Sequence, residues 1–214
     1  MRILLARHGE TAWNAEGRYQ GQEDIPLSET GEKQARRLGD RLRDVRIDRA
    51  VCSPLSRAYH TAQFALGEHR APMLMVDNGL MEIAHGSWEG KLAAEIRDSD
   101  EARFNAWRES PEKVMMPGGE SLRQVFDRAW LAFAAATDGM TDEETLLVVA
   151  HDAVNRVILC HVMGLPLSRL WRFRQAPTTV NLLEGPDIEQ LEVVRLNDCS
   201  HHTLLFGEAV HRAL

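Results

Sequence analysis

Cysteine is scarce in this chain, and the three present, Cys52, Cys160 and Cys199, are odd in number and widely spaced. That pattern excludes a disulfide framework and a thiolate zinc centre, and it reads as reduced thiols in a cytoplasmic protein. Basic charge is also in deficit: 25 Lys and Arg stand against 32 Asp and Glu, for a formal net charge of -7. General nucleic-acid binders carry a basic face for the phosphate backbone, so no nucleic-acid partner is expected. Long apolar runs are missing too. Stretches such as Leu146 to Ala150 have strand length, far below the roughly 18 residues of a membrane span. No membrane partner is expected, no segment has linker composition, and Met1-Arg2 leads straight into a polar motif with no leader pattern. What remains is a chain of 214 residues with 44% hydrophobic content, enough for one substantial core and predicted to be a single domain over 1–214.

The apolar run Ile3 to Ala6 reads as a buried strand, and it delivers Arg7-His8-Gly9-Glu10-Thr11 at its carboxyl end. Arginine beside histidine suits phosphate chemistry: guanidinium binds the anion through paired hydrogen bonds, and an imidazole nitrogen can attack phosphorus. Further strands are predicted at Arg49 to Cys52, Met73 to Val76, Thr145 to Ala150, Thr178 to Leu183 and Leu191 to Leu196. Gly31 to Val45 places Ala35, Leu38, Leu42 and Val45 on one stripe of a surface helix, and Ser121 to Thr137 repeats the pattern. Strands alternating with helices predict an α/β domain with a mainly parallel sheet covered on both faces. Ligands bind such sheets beyond the carboxyl ends of the strands, where Arg7-His8, Ser53-Pro54 and His151-Asp152 would gather.

Within that gathering His8 is the candidate nucleophile. A neutral imidazole has one nitrogen available for attack if the other donates to a carbonyl, and Gly9 is placed to supply that carbonyl. Glu82 is the candidate general acid and base, a role that needs a raised pKa. Asn14 adds a neutral donor for phosphate. A helix beginning near Ala153 would aim backbone N–H groups at a bound anion. His201-His202 lacks flanking ligands for a metal, and His60, His69, His161 and His211 read as surface or helix residues.

Leu5 to Asn14, Arg18-Tyr19-Gln20-Gly21, Leu27 to Gly31, Ser53 to Ala58, Glu82 to Gly90, Pro117 to Ser121 and Val148 to Asp152 together resemble the signature of the histidine phosphatase superfamily. These are the cofactor-dependent phosphoglycerate mutases and their phosphatase relatives. The resemblance implies a three-layer αβα sandwich with an antiparallel edge strand, and a phosphohistidine intermediate at His8 formed without a metal ion or other cofactor. It makes His8, Glu82 and His151 the catalytic set, with Arg7, Asn14, Arg57 and His151 on the phosphate and Gln20 and Gly21 among substrate-binding residues. The chain departs from the common pattern at Asp152, where many members carry glycine. A carboxylate there would repel phosphate unless a neighbour such as Arg156 neutralises it.

The chain runs shorter than the mutases, and Glu82-Ile83-Ala84-His85-Gly86 resembles the phosphatase branch, including metal-independent phosphoserine phosphatases with histidine at that place. His85 could then pair with a substrate carboxylate. The implied activity is hydrolysis of a small phosphate ester, with phosphoserine or a related phosphorylated acid as first candidate. Alternatives are α-ribazole phosphate or a sugar phosphate, phosphoglycerate mutase activity, and a non-catalytic relative that binds phosphorylated ligands. The resemblance and the apolar strand Thr178 to Leu183 are compatible with a homodimer.

Overall fold

In the computed structural model, which describes residues 1–67 and 73–202, six strands form one sheet. In chain order they are β1 (Arg2–Arg7), β2 (Arg49–Cys52), β3 (Leu74–Val76), β4 (Thr145–Ala150), β5 (Val180–Glu184) and β6 (Glu192–Asp198). Across the sheet they run β3-β2-β4-β1-β5-β6. β1, β2, β3 and β4 pair in parallel, while antiparallel pairing is confined to the β5–β6 side. The helices are α1 (Ala12–Glu16), α2 (Glu29–Leu42), α3 (Ser56–Leu66), α4 (Ala93–Ser99), α5 (Glu101–Glu109), α6 (Leu122–Thr137) and α7 (Asp152–Val162).

Strand alternation divides the core in two. Ile3, Leu5, Val51, Leu146 and Val148 face one apolar cluster with Leu122, Val125 and Phe133 of α6 and Val154 and Ile158 of α7. Leu4, Ala6, Ala50, Cys52, Leu147 and Val149 face the other, with Leu38 and Leu42 of α2 and Ala58 and Ala62 of α3. Because both faces of β4 are covered, all six of its residues are buried, which is why it reads as an unbroken apolar run. No helix among the described residues is long and apolar enough to cross a membrane.

Local chemistry sets the boundaries. Ser28 caps α2 by accepting from Gly31 N–H, and the helix ends at Leu42, so Val45 lies beyond it. Gly31 packs so tightly on the first loop that a Cβ there would lie 2.0 Å from the Glu10 carbonyl oxygen. Ser121 and Gln124 form a reciprocal capping box at the start of α6. β5 begins at Val180 rather than Thr178, because Thr178 turns the chain with a left-handed φ of 53°. The segment is bonded to β1 on one side and β6 on the other, with Val180 and Leu183 buried. Its apolar character is that of a strand inside the sheet, with Leu182 only partly buried.

Candidate active site

The parallel strands end together, and their carboxyl ends bring Arg7, His8, Ser53 and His151 to one edge. His8 is buried, its Nδ1 lies 2.6 Å from the Gly9 carbonyl, and its ring centroid is 5.1 Å from that of His151. A carbonyl can only accept, so Nδ1 carries the proton and Nε2 is the basic nitrogen. His151 is fully buried with Nε2 2.8 Å from Ser53 Oγ, across 98 residues of sequence. Ser53 Oγ accepts from Leu55 N–H at 3.3 Å and keeps its own proton to donate; an O–H given to His151 Nε2 would place the imidazole proton on Nδ1. That Nδ1 has no hydrogen-bond partner among the described residues. Burial first, and then Arg57, His8 and Arg7, hold His151 well below the usual histidine pKa, in its neutral form.

The arginines are anchored by backbone. Arg7, buried at the end of β1, donates to the Gln175 carbonyl. Gln175 is held in turn by a reciprocal amide pair with Asn181, at 2.9 and 2.8 Å. Arg57, in the first turn of α3, donates to the carbonyls of Gly21 and Glu23, both at 2.8 Å. Burial lowers its pKa to about 10, which leaves it charged at neutral pH. Gly21 is required here: its φ is +55°, and a Cβ would lie 1.9 Å from Glu89 Oε1. Asn14 Oδ1 accepts from Thr11 N–H in the capping box of α1, leaving its NH2 group to donate, and Gln20 Oε1 accepts from Thr11 Oγ1 at 2.8 Å. Asn14, Gln20 and Gly21 all line the same pocket as Arg7, His8 and Arg57.

Glu82 enters from the loop before Ile83. Its Oε1 accepts from Ile83 N–H at 3.0 Å, and its Oε2 accepts from Asp152 N–H at 3.1 Å and Ala153 N–H at 3.5 Å. The first amides of α7, expected to face a bound anion, are therefore taken by Glu82, because a carboxylate is the natural cap for a helix N-terminus. Burial, and next the neighbouring Asp152, raise its pKa. The loop is pinned from behind: Arg128 of α6 donates to the carbonyls of Gly79, Met81 and Glu82 and pairs with Glu120, which accepts from Ala84 N–H at 2.9 Å.

A second group of pocket residues is aromatic. His85 stands edge-on to Tyr19 at 4.9 Å and to Trp107 at 5.9 Å, and Trp107 packs on Trp171 at 5.2 Å. Burial pushes the His85 pKa down to about 3. The imidazole expected to pair with a substrate carboxylate is thus neutral in this pocket, because its apolar neighbours offer a cation no hydration. Its Nδ1 meets no hydrogen-bond partner among the described residues. Tyr19, Trp107 and Trp171 were not among the residues expected at the site; Tyr19 lies within a quoted motif, whereas nothing near either tryptophan in sequence marks it.

Asp152 does not stand bare in the pocket. Its Oδ2 pairs with Arg156 Nε at 2.8 Å and its Oδ1 lies 3.6 Å from Arg7 NH1. His201 and His202 contact Thr178 and Pro177 respectively. Among the described residues no group of three or more His, Cys, Asp or Glu could hold a metal ion. His60 is exposed, and His161 packs on Trp130 of α6 at 4.2 Å. His69 and His211 lie outside the described residues.

Two histidines between buried arginines, at the carboxyl edge of an α/β sheet, define a site for phosphate esters. Residues 3–199 match the family model described as histidine phosphatase superfamily (branch 1), and the chain belongs to that superfamily as a phosphoric monoester hydrolase. It is 33% identical to phosphoserine phosphatase 1 of Hydrogenobacter thermophilus over 214 residues, the full length of both chains. It is 34% identical to the adenosylcobalamin/alpha-ribazole phosphatase of Salmonella typhimurium, over 81% of this chain and 85% of that one. Among solved structures, Bacillus stearothermophilus YhfR superposes with a TM-score of 0.87 at 35% identity, covering 94% of this chain and 98% of the other.

Proposed function

We propose that this chain hydrolyses a small phosphorylated metabolite through a phosphohistidine at His8, without a metal ion. The observation that carries the reading is the 2.6 Å contact between His8 Nδ1 and the Gly9 carbonyl, which makes Nε2 the nucleophilic nitrogen. His8 Nε2 attacks phosphorus and forms the N–P bond as the ester P–O bond breaks. The departing alkoxide takes its proton from Glu82, whose raised pKa suits it to act as the acid. Water then gives a proton back to Glu82 and attacks phosphorus, the N–P bond breaks, and inorganic phosphate leaves. Arg7, Arg57, Asn14 and His151 Nδ1–H supply donors to the equatorial oxygens, where phosphoryl transfer depends on positioned charge. The same reading takes residues 1–214 as one domain acting in the cytoplasm.

For the organic part of the substrate, a phosphorylated carboxylic acid such as phosphoserine is the first candidate. His85 would meet the carboxylate as a neutral hydrogen-bond donor, and the full-length match to a phosphoserine phosphatase supports the choice. The cluster of Tyr19, Trp107 and Trp171 favours a second reading, an ester with a flat apolar portion such as α-ribazole phosphate. Phosphate release from a panel of both substrates, 3-phosphoglycerate and sugar phosphates, in EDTA and with His8→Ala as control, tests the proposal. EDTA-resistant release that is lost in His8→Ala is expected. Transfer between phosphoglycerates with a bisphosphate primer, in place of hydrolysis, would make the chain a mutase, and inactivity in both assays would make it a binding protein.

A further inference from the structure

Asp152 is the most unexpected group in a pocket built for an anion. It is 6% exposed, it lines the pocket at the first position of α7, and two guanidinium groups bracket it. Arg156, 4% exposed, donates its Nε to Asp152 Oδ2 at 2.8 Å. That guanidinium stands outside the pocket lining: NH1 donates to the carbonyls of Leu170 and Phe173, and the group lies over the rings of Trp171 at 5.1 Å and Phe173 at 5.5 Å. Arg156 is thereby committed to holding the segment that carries Trp171. Arg7, by contrast, lines the pocket and shares its charge with Asp152 Oδ1 at 3.6 Å.

A dianion entering beside Arg7 therefore meets a cation whose field is already offset by a fixed carboxylate in a partly desolvated place. We propose that Asp152 acts through Arg7 to weaken the pocket's hold on inorganic phosphate, so that the product leaves instead of accumulating as an inhibitor. The proposal rests on the reading above that phosphate binds at Arg7. The same carboxylate bears on Glu82, whose Oε2 accepts from Asp152 N–H at 3.1 Å. The charged groups around the Glu82 carboxyl are Asp152 from α7, Arg57 from α3 and Arg7 from β1, while Arg128 from α6 holds its carbonyl. Of the three that act on the carboxyl, only Asp152 favours the protonated acid. Asp152 would thus serve both ends of the cycle, keeping the acid protonated at the start and loosening the product at the end.

Titration calorimetry with inorganic phosphate, which needs no turnover, tests this on the full chain. Asp152→Asn retains an oxygen for Arg156 Nε while removing the charge, and Asp152→Ser provides a second variant suited to a helix start. Both are expected to bind phosphate about tenfold more tightly, and the gain should vanish in an Arg7→Met background, where the charge it acts through is gone. The basic limb of the kcat/KM pH profile should also move to lower pH in Asp152→Asn, a change that a purely structural role would not produce. Unchanged or weaker phosphate binding in the variants, with the parent binding normally, would overturn the role of Asp152 alone. Failure of both variants to fold would make Asp152 an element of the fold and overturn the proposal as well. No phosphate binding by the parent chain would overturn it together with the reading of the pocket.

Discussion

The two groups of residues that line the pocket are built on opposite principles. Around the phosphate position, Arg7, His8, Arg57, Glu82 and Asp152 are tied by hydrogen bonds and ion pairs to backbone and to one another. Along the wall, Tyr19, His85, Trp107 and Trp171 meet edge to face, with burial keeping His85 neutral. Fixed charge and fixed tautomers suit the part of the substrate that every phosphate ester shares. Aromatic packing with one unpartnered imidazole nitrogen suits the part that differs between esters. Chemistry should therefore fail when the first group is altered, and selectivity should change when the second is.

Variants can break that division or sharpen it. His8→Ala should reduce phosphate release by at least about 10⁴-fold, since a removed nucleophile has no substitute; a steady-state assay with folding checked by circular dichroism measures it. Glu82→Gln should reduce kcat by about 10²- to 10⁴-fold and abolish the basic limb of the pH profile. Ser53→Ala should lower kcat by about tenfold, on the order of one neutral hydrogen bond, with KM unchanged and Ser53→Thr restoring the rate. A KM effect without a kcat effect would show that Ser53 does not set the tautomer of His151. Trp171→Ala should do the reverse, raising KM for some esters by a few-fold and leaving kcat nearly untouched, so that the order of substrates changes.

The smallest effect at neutral pH concerns stability. His85 and His151 have folded pKa values below their unfolded ones, so the unfolded chain binds more protons in acid. Their contribution is complete above the unfolded histidine pKa of about 6.5 and is lost as the pH falls, the His85 share continuing to decline down to about pH 3. The His85 share amounts to about 1.4 kcal/mol per pH unit over that range. His85→Asn should flatten the acid slope in urea melts run from pH 7 to 5, and an unchanged slope would mean His85 is protonated in the folded protein.

The division also explains what was legible in the sequence. Phosphate-binding residues sit directly after strands, so short motifs around Arg7-His8, Ser53 to Arg57 and His151 record both the fold and the chemistry, and the parallel sheet brings them together. β2 and β4 lie where their apolar runs predict. Helices α1, α4 and α5 were not foreseen: α1 is a single capped turn, and α5 buries only Phe104 and Trp107, too little to show a stripe. The aromatic wall draws on residues 19, 85, 107 and 171, from four separate segments, so no local pattern announces it. The charge state of His85 was not legible, because it depends on Tyr19 and Trp107, which only the fold places beside it. For Asp152 the sequence suggested Arg156 as partner, four residues on along one helix, but not the approach of Arg7 from β1.

The central claim is that the phosphoryl group passes through His8. Rapid mixing with a turned-over ester, quenching in alkali and intact-mass analysis would test it directly, because a phosphohistidine survives base. The account predicts one phosphoryl group per chain during turnover, located at His8 by peptide mapping and absent from His8→Ala. Turnover with no phosphoenzyme at any time, or a label that persists in His8→Ala, would contradict it.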